Sequence, residues 1–148
     1  MEPADAEAVA VLIAAAFAAQ PVVLDPPPSA LGVTAADMAA HLRTGGGAIA
    51  ESPELVGSVL WEMTVGVLHL SRLAVHPGFR RFGIARRLLQ AAEQTAWALG
   101  LECMSLGTRL ALPGNRALFA GSGFREIAYH AHTGYAAPTW VEMEKRLV

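Results

Sequence analysis

Four arginines, Arg80, Arg81, Arg86 and Arg87, crowd one glycine, Gly83, in the stretch "RRFGIARRLL" (80–89) of a chain that has eleven basic residues in all. Like charges this close repel, and an anion seated between them relieves the repulsion. The stretch follows an apolar run and the turn His76-Pro77-Gly78-Phe79, and it opens a helical pattern. Strand, turn and helix in that order leave unpaired backbone N–H groups at a helix N-terminus, which carries partial positive charge and binds phosphate readily. Gly83 and Ala85 are small enough for phosphate oxygens to reach those amides. The residues alone leave a second reading open, a helix start whose arginines face water. No G-x-x-x-x-G-K-[ST] occurs, and no G-x-G-x-x-G follows a strand, so nucleotide hydrolysis and dinucleotide binding lose support.

The elements that must position this turn follow from the pattern around it. Apolar runs at 48–51, 55–63 and 67–75, separated by Ser52-Pro53-Glu54 and Thr64-Val65-Gly66, predict an antiparallel meander. From Gly83 the period becomes helical, with Ile84, Leu88, Ala91 or Ala92, Thr95 and Leu99 on one face and Gly100 as the cap. Residues 101–109 read as a strand, 113–122 as a short helix closed by Gly123, and 124–130 and 140–147 as two last strands. Strand, crossover helix and strand imply one parallel pair in an otherwise antiparallel sheet. Upstream, "AVAVLIAAAFAA" (8–19) predicts a buried amphipathic helix with Asp5 near its start. Proline-rich 20–32 predicts a loop, and Thr34 is the N-cap of a helix running to Arg43.

Composition restricts what the arginines are for. Apolar residues make up 53% of the 148 and the net charge is −2, which excludes disorder and argues against a protein that coats nucleic acid. The length suits one domain over 1–148. The apolar stretch near the start is preceded by acidic residues where a secretory leader needs positive charge, and it is too short to span a bilayer; a cytoplasmic protein is expected. The single cysteine, Cys103, lies in an apolar run and reads as a buried thiol. His130-x-His132 lacks a third ligand at a useful spacing, so no metal is expected.

Two segments resemble a known family. "LAVHPGFRRFGIARRLL" (73–89) is similar to the coenzyme A signature of the GNAT superfamily of N-acetyltransferases, an apolar strand ending in V-x-P and then [QR]-x-x-G-x-[GA]; Arg80, Gly83 and Ala85 take the three signature positions. "NRALFAGSGF" (115–124) resembles the family's N-x-x-A/L-x-Y-x-x-x-G-F segment. The resemblance covers most of the chain and implies an α/β (α+β) fold. Its sheet would be mixed and mostly antiparallel, with a splayed parallel central pair and four helices by this reading, and with the first edge strand missing or upstream of Met1.

The same resemblance implies acetyl-CoA as cosubstrate and direct transfer of its acetyl group to an amine of a small molecule or protein. The pantetheine arm would lie between strands 67–75 and 101–109, pairing with backbone groups of Leu73 and Val75, and the amide of Leu73 would face the thioester carbonyl. The pyrophosphate would rest on amides of Arg81, Phe82, Gly83, Ile84, Ala85 and Arg86, with Asn115 and Phe119 contributing from the later helix. His69 stands where histone-acetylating members carry a glutamate base, and a histidine takes up a proton near neutral pH. Ser71 would hold a water, and Glu62 is a further candidate base. Phe119 replaces a tyrosine that protonates the departing thiolate in many members, with Tyr129 a candidate substitute. This departure supports the alternative of an acyl-CoA-binding sensor or partner subunit with little transfer activity. Acceptor specificity would come from "PVVLDPPPSAL" (21–31) and "YHAHTGYAAPTW" (129–140), whose few acidic residues argue against a highly cationic acceptor. Neither a nucleic acid nor a membrane is an expected partner, and the apolar excess permits a homodimer.

Overall fold

The structure is a computed structural model and describes residues 1–20 and 22–147; Pro21, the first residue of the candidate acceptor loop, lies outside the described residues. The elements are α1 (Ala6–Ala18), α2 (Ala35–Thr44), β1 (Gly46–Glu51), β2 (Leu55–Thr64), β3 (Val67–Val75), α3 (Ile84–Ala98), β4 (Cys103–Arg109), α4 (Pro113–Gly121), β5 (Arg125–His130) and β6 (Trp140–Arg146). The strands form one sheet in the order β1-β2-β3-β4-β6-β5, antiparallel throughout except for the parallel pair β3 and β4. The mixed sheet expected from the meander and the crossover is therefore present. Before α1 the described residues form a short 3-10 turn, Pro3–Asp5, in place of a strand, and the Met1 amino group donates to Gly47 O (3.2 Å) on β1.

Each face of the sheet is covered by the helix whose apolar stripe matches it. Ile84, Leu88, Leu89, Ala92 and Ala96 of α3 recur at helical spacing and bury against Leu68, Leu70, Met104 and Leu106. On the opposite face, Val9, Leu12 and Ile13 of α1 and Met38 of α2 pack on Leu60 and Ala74. The Thr34 cap is real: Asp37 N–H donates to Thr34 Oγ1 (3.1 Å), and Thr34 N–H donates to Asp37 Oδ2 (2.9 Å). That reciprocal pair holds the Asp37 carboxyl below the usual carboxylate range.

Two expectations need correcting. Leu99 is 53% exposed, because it is the cap residue of α3 and extends past the turns that pack on the sheet. The strand after α3 begins at Cys103 and not at Leu101. Leu101 N–H donates back to Ala96 O (3.0 Å) and Gly100 N–H to Trp97 O (3.1 Å), so both residues serve to close the helix.

Cys103 is 6% exposed, and burial together with the neighbouring Glu144 pushes its thiol above the ordinary range. Alkylation of the native protein by iodoacetamide at pH 8 is expected to be at least ~10-fold slower than of the denatured chain. Equal rates, followed by mass spectrometry, would show that the start of β4 is open to the reagent.

Candidate active site

The parallel strands β3 and β4 pair only through Val67 with Cys103, Leu68 with Met104 and His69 with Ser105. Beyond these residues they part, and the gap between them opens into a cleft of about 570 Å³ lined from both faces of the sheet. A bulge helps to open it. In the β2–β3 ladder the partners run from Leu60 with Ser71 to Ser58 with Ala74, so Arg72 and Leu73 together face Val59, and Arg72 adopts a φ of +53°. After the bulge, His76 N–H donates to Val56 O (2.7 Å). Alternation along the strand then turns the backbone groups of Val75 away from β2 and toward the gap.

The arginine-rich turn stands at the end of β3. A 3-10 turn, Pro77–Phe79, is fixed by Gly78 N–H donating to His76 Nδ1 (3.0 Å) and leads into Arg81 and Gly83, at φ +68° and +75°. The left-handed glycine swings the chain into α3, whose first backbone bond runs from Arg87 N–H to Gly83 O (3.1 Å). Among the described residues no backbone acceptor meets the amides of Arg81 to Arg86. A Cβ on Gly83 would meet nothing within 4 Å, so the space beside this residue is open. Arg81, Arg86 and Arg87 are exposed, and the Arg86 guanidinium lies beside Gly121 of α4. Arg80 is placed differently: its guanidinium donates to Ala16 O (3.1 Å) in the last turn of α1, tying that helix end to the turn.

Deeper in the cleft, Nδ1 of His69 and Oγ of Ser105 are 2.9 Å apart. His69, Ser71 and Leu73 of β3 all line the cleft, as do Asn115 and Phe119 of α4. Phe119 is 5% exposed and packs edge-on against Phe124, so its ring also belongs to the core. Glu62 is the cross-strand partner of His69, exposed on β2, and makes no ion pair among the described residues. Tyr129 is not among the cleft residues. Its hydroxyl donates to Glu126 Oε2 (2.7 Å), which raises its pKa and makes it a poorer proton donor.

Both candidate acceptor segments meet at the outer end of the cleft. Tyr135 OH donates to Asp25 Oδ1, and Arg109 at the end of β4 donates to Pro26 O (2.7 Å). The Trp140 ring lies over Gly107, where a Cβ would come within 3.0 Å of it, and stacks on His130 at 4.3 Å. His130 Nε2 and Glu142 Oε1 are 3.0 Å apart, and His132 bonds Thr139, so the two histidines point to separate partners. No cluster of three metal-ligating side chains occurs among the described residues.

Ser105, Arg72, Thr108 and Arg109 escaped the sequence reading. The signal for them is the strand register: His69 faces Ser105, and the residues that follow on each strand, Arg72 on β3 and Thr108 and Arg109 on β4, line the gap left where the two part.

The family model "Acetyltransferase (GNAT) family" matches residues 21–124. No curated protein matches the chain in sequence. Among solved structures, a putative GNAT-family acetyltransferase from Desulfovibrio desulfuricans is similar with a TM-score of 0.77 at 17% identity, over 94% of this chain and 92% of that one. A putative N-acetyltransferase from Lactobacillus plantarum is similar with a TM-score of 0.68 at 20% identity, over 99% and 94%. An acetyltransferase from Bacillus subtilis, solved in complex with CoA, is similar with a TM-score of 0.62 at 21% identity, over 74% and 81%. With the family model spanning most of its length, this chain belongs to the GNAT family of acetyltransferases, whose general reaction is acetyl transfer from acetyl-CoA.

Proposed function

We propose that residues 1–148 form one acetyltransferase domain that moves the acetyl group of acetyl-CoA to a primary amine of a small molecule or protein. The observations that carry this reading are the parting of β3 from β4 and, just beyond the end of β3, a turn whose amides from Arg81 to Arg86 meet no backbone acceptor among the described residues. The amides from Arg81 to Arg86 hold the pyrophosphate, exposed Arg81 and Arg86 add charge, and the free edge at Leu73 and Val75 takes the extended arm. Arg80 supports the turn through one guanidinium nitrogen on Ala16 O, which leaves the rest of its fork for the same anion.

The acceptor amine ordinarily has a pKa of roughly 10.4 and must lose a proton before it attacks. Its nitrogen then bonds the acetyl carbon, the amide of Leu73 stabilises the oxyanion, the C–S bond breaks with the electron pair leaving on the CoA thiolate, and the nitrogen gives up its second proton to water. His69 is the base. With Nδ1–H donated to Ser105 Oγ, its Nε2 carries the lone pair. Leu73 lies four residues along β3, roughly 13 Å at 3.3 Å per residue, so the proton travels through water beside Ser71.

Phe119 favours a second reading, a CoA-binding subunit with little transfer activity, because a buried phenyl cannot protonate the thiolate. A thiol pKa near 8.5 lets the thiolate leave without that help, which is why transfer is preferred here. The two readings separate in an assay of thiol release from acetyl-CoA over a panel of amines and peptide N-termini. Acceptor-dependent release is expected; CoA binding without release from any acceptor would leave the subunit reading.

A further inference from the structure

Resting on that reading, the geometry points to an acceptor that carries a carboxylate close to its amine on an apolar or aromatic body, with Arg109 holding the carboxylate. The only charged side chains lining the cleft among the described residues are Arg72, Arg109 and Asp37. Asp37 is committed to the Thr34 cap. Arg109 has no carboxylate within ion-pair distance among the described residues, and its one hydrogen bond, to Pro26 O, uses a single guanidinium nitrogen. The rest of that planar fork is left for a bidentate partner.

Position matters as much as charge. Arg109 lies on β4 beyond Ser105, where the ladder with β3 has ended, and lines the same cleft as Leu73, the residue whose amide would face the reacting carbonyl. A carboxylate on Arg109 would therefore bring a nearby amine to the centre of the gap. Phe17, Leu24, Met38 and Trp140 offer apolar or aromatic surface in the same cleft, beside polar Thr108 and His132. A second carboxylate, Asp25, lies close enough to act on Arg109 electrostatically but is held by Tyr135. It moderates the charge of Arg109 without occupying the fork.

Phenylalanine, phenylalaninamide and 2-phenylethylamine form a matched acceptor set, with N-acetylphenylalanine and its amide as product probes. Calorimetric titration of the two products, with and without CoA, reports the anion site even if no transfer occurs. Thiol release with the three amines reports the transfer. The acid is expected to bind at least ~10-fold more tightly than the amide, and phenylalanine to have the lowest acceptor KM of the three. Arg109→Gln keeps a donor for Pro26 O and removes the charge; it should erase the preference while leaving the KM for acetyl-CoA unchanged, and Arg109→Lys should restore part of it. Amides or decarboxylated amines that match or exceed the acids, no binding by either product, or a preference that survives Arg109→Gln would each overturn the proposal. Product binding through Arg109 with no thiol release from any amine would instead keep the anion site and defeat the transfer reading.

Discussion

Gly83→Glu is expected to lower acetyl-CoA affinity by at least ~100-fold, the loss of two or more charge-assisted hydrogen bonds. The substitution acts twice. Gly83 has a φ of +75°, which costs a residue with a Cβ roughly 1–2 kcal/mol. The new carboxylate also extends into the open space beside this residue, where it competes with pyrophosphate for the Arg81–Arg86 amides. Gly83→Ala carries the strain without the charge, so its loss should be much smaller. The measurement is the rise in Tm that acetyl-CoA produces, which should persist in Gly83→Ala and vanish in Gly83→Glu. If Gly83→Glu keeps its affinity within a few-fold, the turn does not hold the phosphate.

His69→Ala is expected to lower kcat by roughly 10²–10³ near neutral pH, the range for loss of a general base. The deficit should shrink as pH approaches the pKa of the acceptor amine, because the amine then arrives unprotonated. The KM for acetyl-CoA should not move, since His69 lies on the stretch of β3 that still pairs with β4, below the opening. Ser105→Ala removes the partner of Nδ1 and should give a smaller loss with an altered pH profile. A His69→Ala profile that parallels wild type at every pH would take His69 out of the proton path and leave a structural histidine bonded within the sheet.

The parts of this site that are local in sequence were readable there. The phosphate turn needs only a strand end, small residues and a helix start within about a dozen positions, and each of these leaves a composition signal. The stripe of α3 was readable for the same reason, except at Leu99, where the face is correct but the sheet beneath has ended. What escaped depends on register between distant segments. The partner of His69 is 36 residues away, and Arg109 becomes prominent only once β4 is aligned with β3. The bond from Arg80 to Ala16 O, across 64 residues, was equally out of reach of a local reading. Periodicity likewise carries no information on strand order, and the insertion of β6 between β4 and β5 was not foreseen.

If the gap between β3 and β4, with the arginine turn at its end, takes acetyl-CoA, isothermal titration of the wild-type protein should show saturable binding of one molecule per chain. That binding should be displaced by CoA and weakened by salt, because the arginines supply part of the attraction. Absence of binding, or binding indifferent to both CoA and salt, would contradict that reading.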